Sequence, residues 1–167
     1  MAGGYGHRFV VVATPGLRDA TERVASLWEA ETGERLDGPW LDGRQEPCPI
    51  ITSGLIAFGG GKDDLYVDRS ATPSHVRTFC YPYDDVVTAV LVAALALDPD
   101  GRLGTRVSSD GTTEDWEAGI RLYERAVASV DARLAETLLS SLGTRASASA
   151  TGGSAWAGER RLPPPRA

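Results

Sequence analysis

The sequence is poor in the residues that most often carry chemistry. Its 167 residues include two cysteines, Cys48 and Cys80, and two histidines, His7 and His75. No Cys-x-x-Cys or His-x-x-x-His pair occurs, so the usual zinc-ligand spacing is absent. His75 and Cys80 would also fall on opposite faces of a regular strand, their separation being odd. Lysine occurs once, at Lys62, and the net charge is −6. A nucleic-acid surface needs clustered cations, so that class is set aside. The longest apolar run, Val86 to Leu97, is 12 residues. A membrane-spanning helix needs roughly 20. The opening Met1–His7 has neither an apolar stretch nor a cleavage motif of a secretory leader. Both thiols are therefore expected reduced, in a cytoplasmic protein.

What is present centres on that apolar run. Val86, Val87, Thr88, Val90 and Val92 favour a strand. Ala89, Ala93, Ala94, Leu95, Ala96 and Leu97 favour a helix. Length decides for the helix, since strands usually stop at about 4–8 residues. Asp84 or Asp85 is placed to cap its start, and Pro99 in Asp98-Pro99-Asp100-Gly101 stops it. A helix apolar on all sides must be buried on most of its surface.

The remaining chain arranges itself around this helix. Residues 1–6 read as a flexible Gly-rich N-terminus, and His7 at its edge is expected to fray with it. Phe9 to Ala13 reads as a buried strand. Thr14 and Pro15 then open a helix that ends at Gly33, with Leu17, Ala20, Val24, Leu27 and Trp28 on one face. Residues 34–49 read as a long polar loop. Three strand-like pieces follow, Pro49 to Phe58, Leu65 to Asp68 and Val76 to Cys80, in the pattern of an antiparallel meander. A strand over Thr105–Ser108 leads to Thr112-x-x-Asp115, a capping box. Trp116, Ile120, Tyr123, Val127, Val130, Leu134 and Leu138 then repeat at helical spacing, which predicts one long helix ending at Gly143. Residues 144–167 hold four Arg and one Glu, leaving −9 on the rest of the chain. Their Ser, Ala, Gly and Pro content predicts a disordered basic tail. Its end, Arg160-Arg161-Leu162-Pro163-Pro164-Pro165-Arg166, has the form of a proline-rich ligand for a groove.

Several motifs are tested by their spacing. Gly61-Lys62 after a strand suggests a phosphate loop, but Ile56 stands where its first Gly belongs and Asp63 follows the Lys. Asp98-Pro99-Asp100-Gly101 suggests a calcium loop, but Arg102 and Ser109 occupy ligand positions. Asp63, Asp64, Asp84, Asp85 and Asp110 lie at loops or helix starts. Paired acids of this kind hold Mg²⁺ in hydrolases. The competing reading is that they cap helices and close turns. For nucleophilic catalysis His75 is the available base, with Cys80 and either Asp84 or Asp110 completing a set.

Two patterns occur together: Phe79-Cys80 with Pro82-Tyr83-Asp84-x-Val86, and Ser108-Ser109-Asp110-Gly111 with Trp116. This pair resembles a loose group of small uncharacterised proteins from actinobacterial, archaeal and phage genomes. The resemblance spans about residues 54–123 and implies a phage or mobile-element origin, with no activity to transfer. In the group a basic stretch separates the Cys from the Pro-Tyr-Asp; here only Tyr81 does. It marks Pro82, Tyr83, Asp84, Ser109, Asp110 and Trp116 as positions matching its pattern; with both helices packed on one sheet face, these residues are expected to form one corner where two helix starts lie close.

The expectation is one α+β domain over residues 7–143, in the order β-α-β-β-β-α-β-α. A small, mainly antiparallel sheet packs on the buried central helix and the long C-terminal helix. The function expected is protein binding, to itself or another chain, with no cofactor, metal or membrane. Tyr123, Val127, Val130, Leu134 and Leu138 are the expected partner face. The alternative is a metal-dependent hydrolase or nuclease using Asp84, Asp110 and neighbouring acids; His75 joins Asp84 and Asp110 as a catalytic candidate.

Overall fold

The structure is a computed structural model, and it describes residues 6–59, 63–78 and 81–148, with side chains described through residue 140. The fold is α+β, as the sequence predicts. Strand β1 (Gly6–Val10) leads to helix α1 (Pro15–Thr32), then β2 (Trp40–Leu41) and β3 (Arg44–Gln45). Next come β4 (Ile50–Ile51), β5 (Leu55–Phe58), β6 (Leu65–Asp68) and β7 (Ser74–Arg77). The chain continues with α2 (Asp84–Leu97), β8 (Arg106–Ser109), α3 (Thr113–Ala126) and α4 (Ala132–Ala148).

Helix α2 is the core. Every residue from Val86 to Leu95 is buried. Helices α1, α3 and α4 and strand β8 all touch it. Each buried Val or Leu contributes about 1.5–3 kcal/mol relative to exposure, so burial overrides the β-branched preference of its first half. The α3 crossing is closest at Gly119, where an added methyl would overlap Thr88 Oγ1 and sit 3.0 Å from the Ala89 nitrogen.

The strands form two three-stranded antiparallel sheets, β7-β1-β8 and β4-β5-β6, and a two-stranded hairpin, β2-β3. Chain beyond β1 links the larger sheets, because Ala13 N–H donates to the Asp68 carbonyl at 2.7 Å. The expected meander is therefore corrected: Pro49–Phe58 splits into β4 and β5 around Thr52, whose hydroxyl accepts from Leu55 N–H at 3.0 Å. Strand β7 leaves that meander and pairs with β1. The hairpin across Phe58 and Leu65 stands, while its loop residues 60–62 lie outside the described residues.

Two termini differ from expectation. Strand β1 starts at Gly6, and its His7 is fully buried rather than part of a loose end. The long C-terminal helix is two helices. Asp131 breaks it, because its carboxylate accepts from Leu134 N–H at 2.8 Å and opens α4, while Glu124 Oε1 takes Val130 N–H at 3.3 Å. A capping Asp and two β-branched valines outweigh the uninterrupted apolar spacing. Helix α4 then continues through Gly143 to Ala148. The rest of the tail, 149–167, lies outside the described residues.

Candidate functional site

The inner face of the β7-β1-β8 sheet carries one cross-strand row with two polar members. Val76, His7 and Ser109 stand directly opposite one another across its three strands, so they share a face. All three are buried. Asp84, the first residue of α2, meets the row from above: its Oδ1 accepts from His7 Nε2 at 3.0 Å. Trp116, in the first turn of α3, sets its ring edge-on to His7 with centroids 5.1 Å apart. The corner expected from the sequence thus assembles around a residue the sequence reading left aside.

Each neighbour has a defined task. Ser109 Oγ accepts from Gly111 N–H at 3.0 Å and donates to the Gly6 carbonyl at 3.3 Å. Asp110 Oδ1 accepts from Gly6 N–H at 2.6 Å, so the turn after β8 clamps the start of β1. Asp84 does not cap α2, which carries no side-chain cap. The preceding turns serve instead: Asp84 N–H donates to the Tyr81 carbonyl at 2.8 Å and Val87 N–H to that of Tyr83 at 3.1 Å. The capping reading of Asp84 is corrected on that ground. The Thr112–Asp115 capping box does form, with Thr112 N–H donating to Asp115 at 2.5 Å.

Electrostatics at the corner follow from burial and clustered acids. Burial pushes the Asp85 carboxyl up, and the adjacent Asp84 adds to it. The Tyr83 phenol is pushed up to about 12, by burial first and then by Asp63, Asp84 and Asp64. Its hydroxyl donates to the Asp63 carbonyl at 3.2 Å, and its ring stacks on Tyr81. Asp64 is remote in role: its Oδ2 accepts from Trp40 N–H at 2.6 Å. Among the described residues, no group of three or more His, Cys, Asp or Glu is placed to hold a metal ion. Asp84, Asp110 and His75 are not brought together as a catalytic set, because His75 points outward from β7 opposite Arg8. Cys80 lies outside the described residues, and Cys48 is an exposed free thiol. Pro82, an exposed turn residue, serves the entry to α2.

The expected partner face is spent within the domain. Tyr123, Leu134 and Leu138 are buried in the core, and Val127 and Val130 pack against it. The breaks at Val127–Asp131 fold α4 back onto α2 and β8, which covers the stripe. The exposed apolar surface lies elsewhere. Trp40 is 62% exposed, more than any other large hydrophobic residue described. It sits on the β2-β3 hairpin, whose turn is Asp42 and Gly43 at φ 50° and 79°. Positive φ at both positions is the type I′ geometry that Asp-Gly adopts between paired strands. That dipeptide was the sequence signal for the hairpin, hidden within a stretch read as loop.

The hairpin is held rigidly to the body. Asp64 holds the Trp40 N–H, Asp37 bridges to Gly59, and Glu46 N–H donates to the Pro39 carbonyl at 2.9 Å. Gly38 packs so tightly that any Cβ would strike the Glu46 and Cys48 carbonyls. Comparison with protein-family models, curated proteins and solved structures gives no match. Among the described residues, no helix is long and apolar enough to cross a membrane.

Proposed function

We propose that this protein acts by binding another protein chain, without catalysis, and that Trp40 is the anchor of the contact. The observation that carries this reading is a tryptophan 62% exposed on a hairpin whose first strand is pinned to the body through Asp64 and, just before it, Asp37. Tryptophan offers a large apolar area with one polar edge, and such residues dominate binding energy at interfaces. A rigid presentation lowers the ordering cost of association. The corner plays the supporting part: His7, Asp84, Ser109 and Trp116 are buried and fix the sheet and α2. A cytoplasmic setting and a phage or mobile-element origin belong to the same proposal.

Native mass spectrometry of the full chain, purified without chelators, tests it. The expected result is a stoichiometric co-purified protein whose association Trp40→Ala abolishes. The unfolding midpoint should stay within about 0.5 kcal/mol of the parent, as for an exposed side chain. Association unchanged by Trp40→Ala overturns the assignment. A monomer carrying a stoichiometric divalent metal turns the reading to the hydrolase alternative, with Asp84 and Asp110 the first residues to mutate.

A further inference from the structure

The Trp40 hairpin and the C-terminal proline run answer each other chemically. This step rests on the reading of Trp40 as a binding residue and names what it binds. Proline rings pack flat on exposed aromatic faces, and a run of prolines is already extended, so it loses little entropy on docking. Asp37 and Asp42, both exposed, lie within three residues of Trp40 along the chain. The hairpin's own cation, Arg44, is held by Glu46 at 3.3 Å. The surface therefore offers an aromatic face with acidic neighbours. The chain's end, Arg160-Arg161-Leu162-Pro163-Pro164-Pro165-Arg166, offers three prolines bracketed by arginines.

Reach permits the contact within one molecule. From Ala148, the end of α4, to Pro163 is 15 residues. Extended chain covers about 3.3 Å per residue, so this spans about 50 Å. A domain of this size has a radius of gyration near 14 Å, so the span is longer than the domain is wide. Tethering raises the local concentration of the tail to about the millimolar range, which makes a contact centred on one aromatic ring sufficient.

We infer that the Trp40 hairpin binds a proline-rich basic segment, and that in the free protein this is the chain's own Arg160–Arg166. The tail then covers the aromatic face until a partner displaces it. The most exposed large hydrophobic residue described is thereby guarded against indiscriminate sticking.

The test is NMR of the uniformly labelled full chain and of the variant Pro163→Ala/Pro164→Ala/Pro165→Ala, with the Trp40 indole signal assigned from Trp40→Phe. The expected result is a set of NOEs from the Trp40 ring to proline Hδ protons, unchanged on dilution. The variant should lose these NOEs and shift the Trp40 indole signal. An indole signal identical in both proteins, with no such NOEs, overturns the proposal. NOEs found only between labelled and unlabelled copies overturn the intramolecular occupant and place the tail of a second copy on the hairpin. The parent reading is scored separately by native mass spectrometry. Association that fails in Trp40→Ala yet is indifferent to the proline variant rejects the tail alone. Loss of association in neither variant rejects Trp40 as the anchor.

Discussion

His7 and Asp84 are 77 positions apart in sequence and joined at 3.0 Å in the core, Nε2 to Oδ1. This one bond ties the first strand to the first turn of the central helix. Both side chains are almost wholly excluded from solvent. Removing one partner deletes a hydrogen bond between two desolvated polar groups, which costs about 3 kcal/mol. His7→Ala and Asp84→Ala should each lower stability in urea unfolding by that amount. The double variant should lose less than the two losses added, with a coupling of about 0.5–3 kcal/mol. Strict additivity would mean the contact stabilises nothing.

Gly119 sets the closest approach of α3 to α2. An added methyl overlaps Thr88 Oγ1, which itself donates to the Asp84 carbonyl at 2.9 Å. The neighbour is a β-branched residue on a packed helix and has little freedom to retreat. Gly119→Ala should therefore destabilise by about 1–3 kcal/mol, against the usual gain from replacing a helical glycine. Gly119→Ala combined with Thr88→Ala should recover part of the loss, read from urea midpoints. A stabilised single variant would show that the helices separate at little cost.

Asp98 ties the turn after α2. Burial alone would raise its carboxyl, but the Leu103 and Thr105 backbone N–H groups, each bonded at 3.0 Å, outweigh it and hold it below the usual range. A carboxyl lowered on folding adds stability above its unfolded value, 3.8, and loses it as pH falls through the lower folded value. The parent's unfolding midpoint should drop more steeply below about pH 4 than that of Asp98→Asn. Parallel pH curves for the two proteins would remove Asp98 from the acid response.

Tyr83 supplies the alkaline counterpart. With its phenol pushed up to about 12, the unfolded chain ionises first, near 10. Its contribution is complete below 10 and declines as pH rises towards 12. Absorbance titration should show two late phenols among the five tyrosines, Tyr123 raised by burial and Tyr83 raised furthest, and Tyr83→Phe should delete the latest step. Early titration of all five would mean the ring is wetter than its packing implies.

The elements legible in the sequence were those fixed by local chemistry. Helix α1 is bounded as its caps dictate: Thr14 Oγ1 accepts from Leu17 N–H at 3.1 Å and Gly33 closes the far end at φ 72°. Helix α2 follows from the length of its apolar run, and the α3 capping box from Thr112 and Asp115. The Asp42-Gly43 turn was equally local, but two-residue strands give too little alternation to be noticed.

What only the tertiary structure decided is which residues meet. Side-chain spacing cannot tell an apolar stripe facing a partner from one folded back on its own core, and Asp131 turned Leu134 and Leu138 inward. Nor does sequence say that a histidine in an unpromising Gly-rich start would enter a central strand. Strand pairing with β7 and β8, remote in sequence, put His7 beneath Asp84 and Trp116. The same long-range packing left Trp40 outside, because Asp64 and Gly59 fix its hairpin from positions that no local pattern connects. Local sequence sets backbone preference through sterics and capping, whereas the placement of a site depends on which surfaces are buried together.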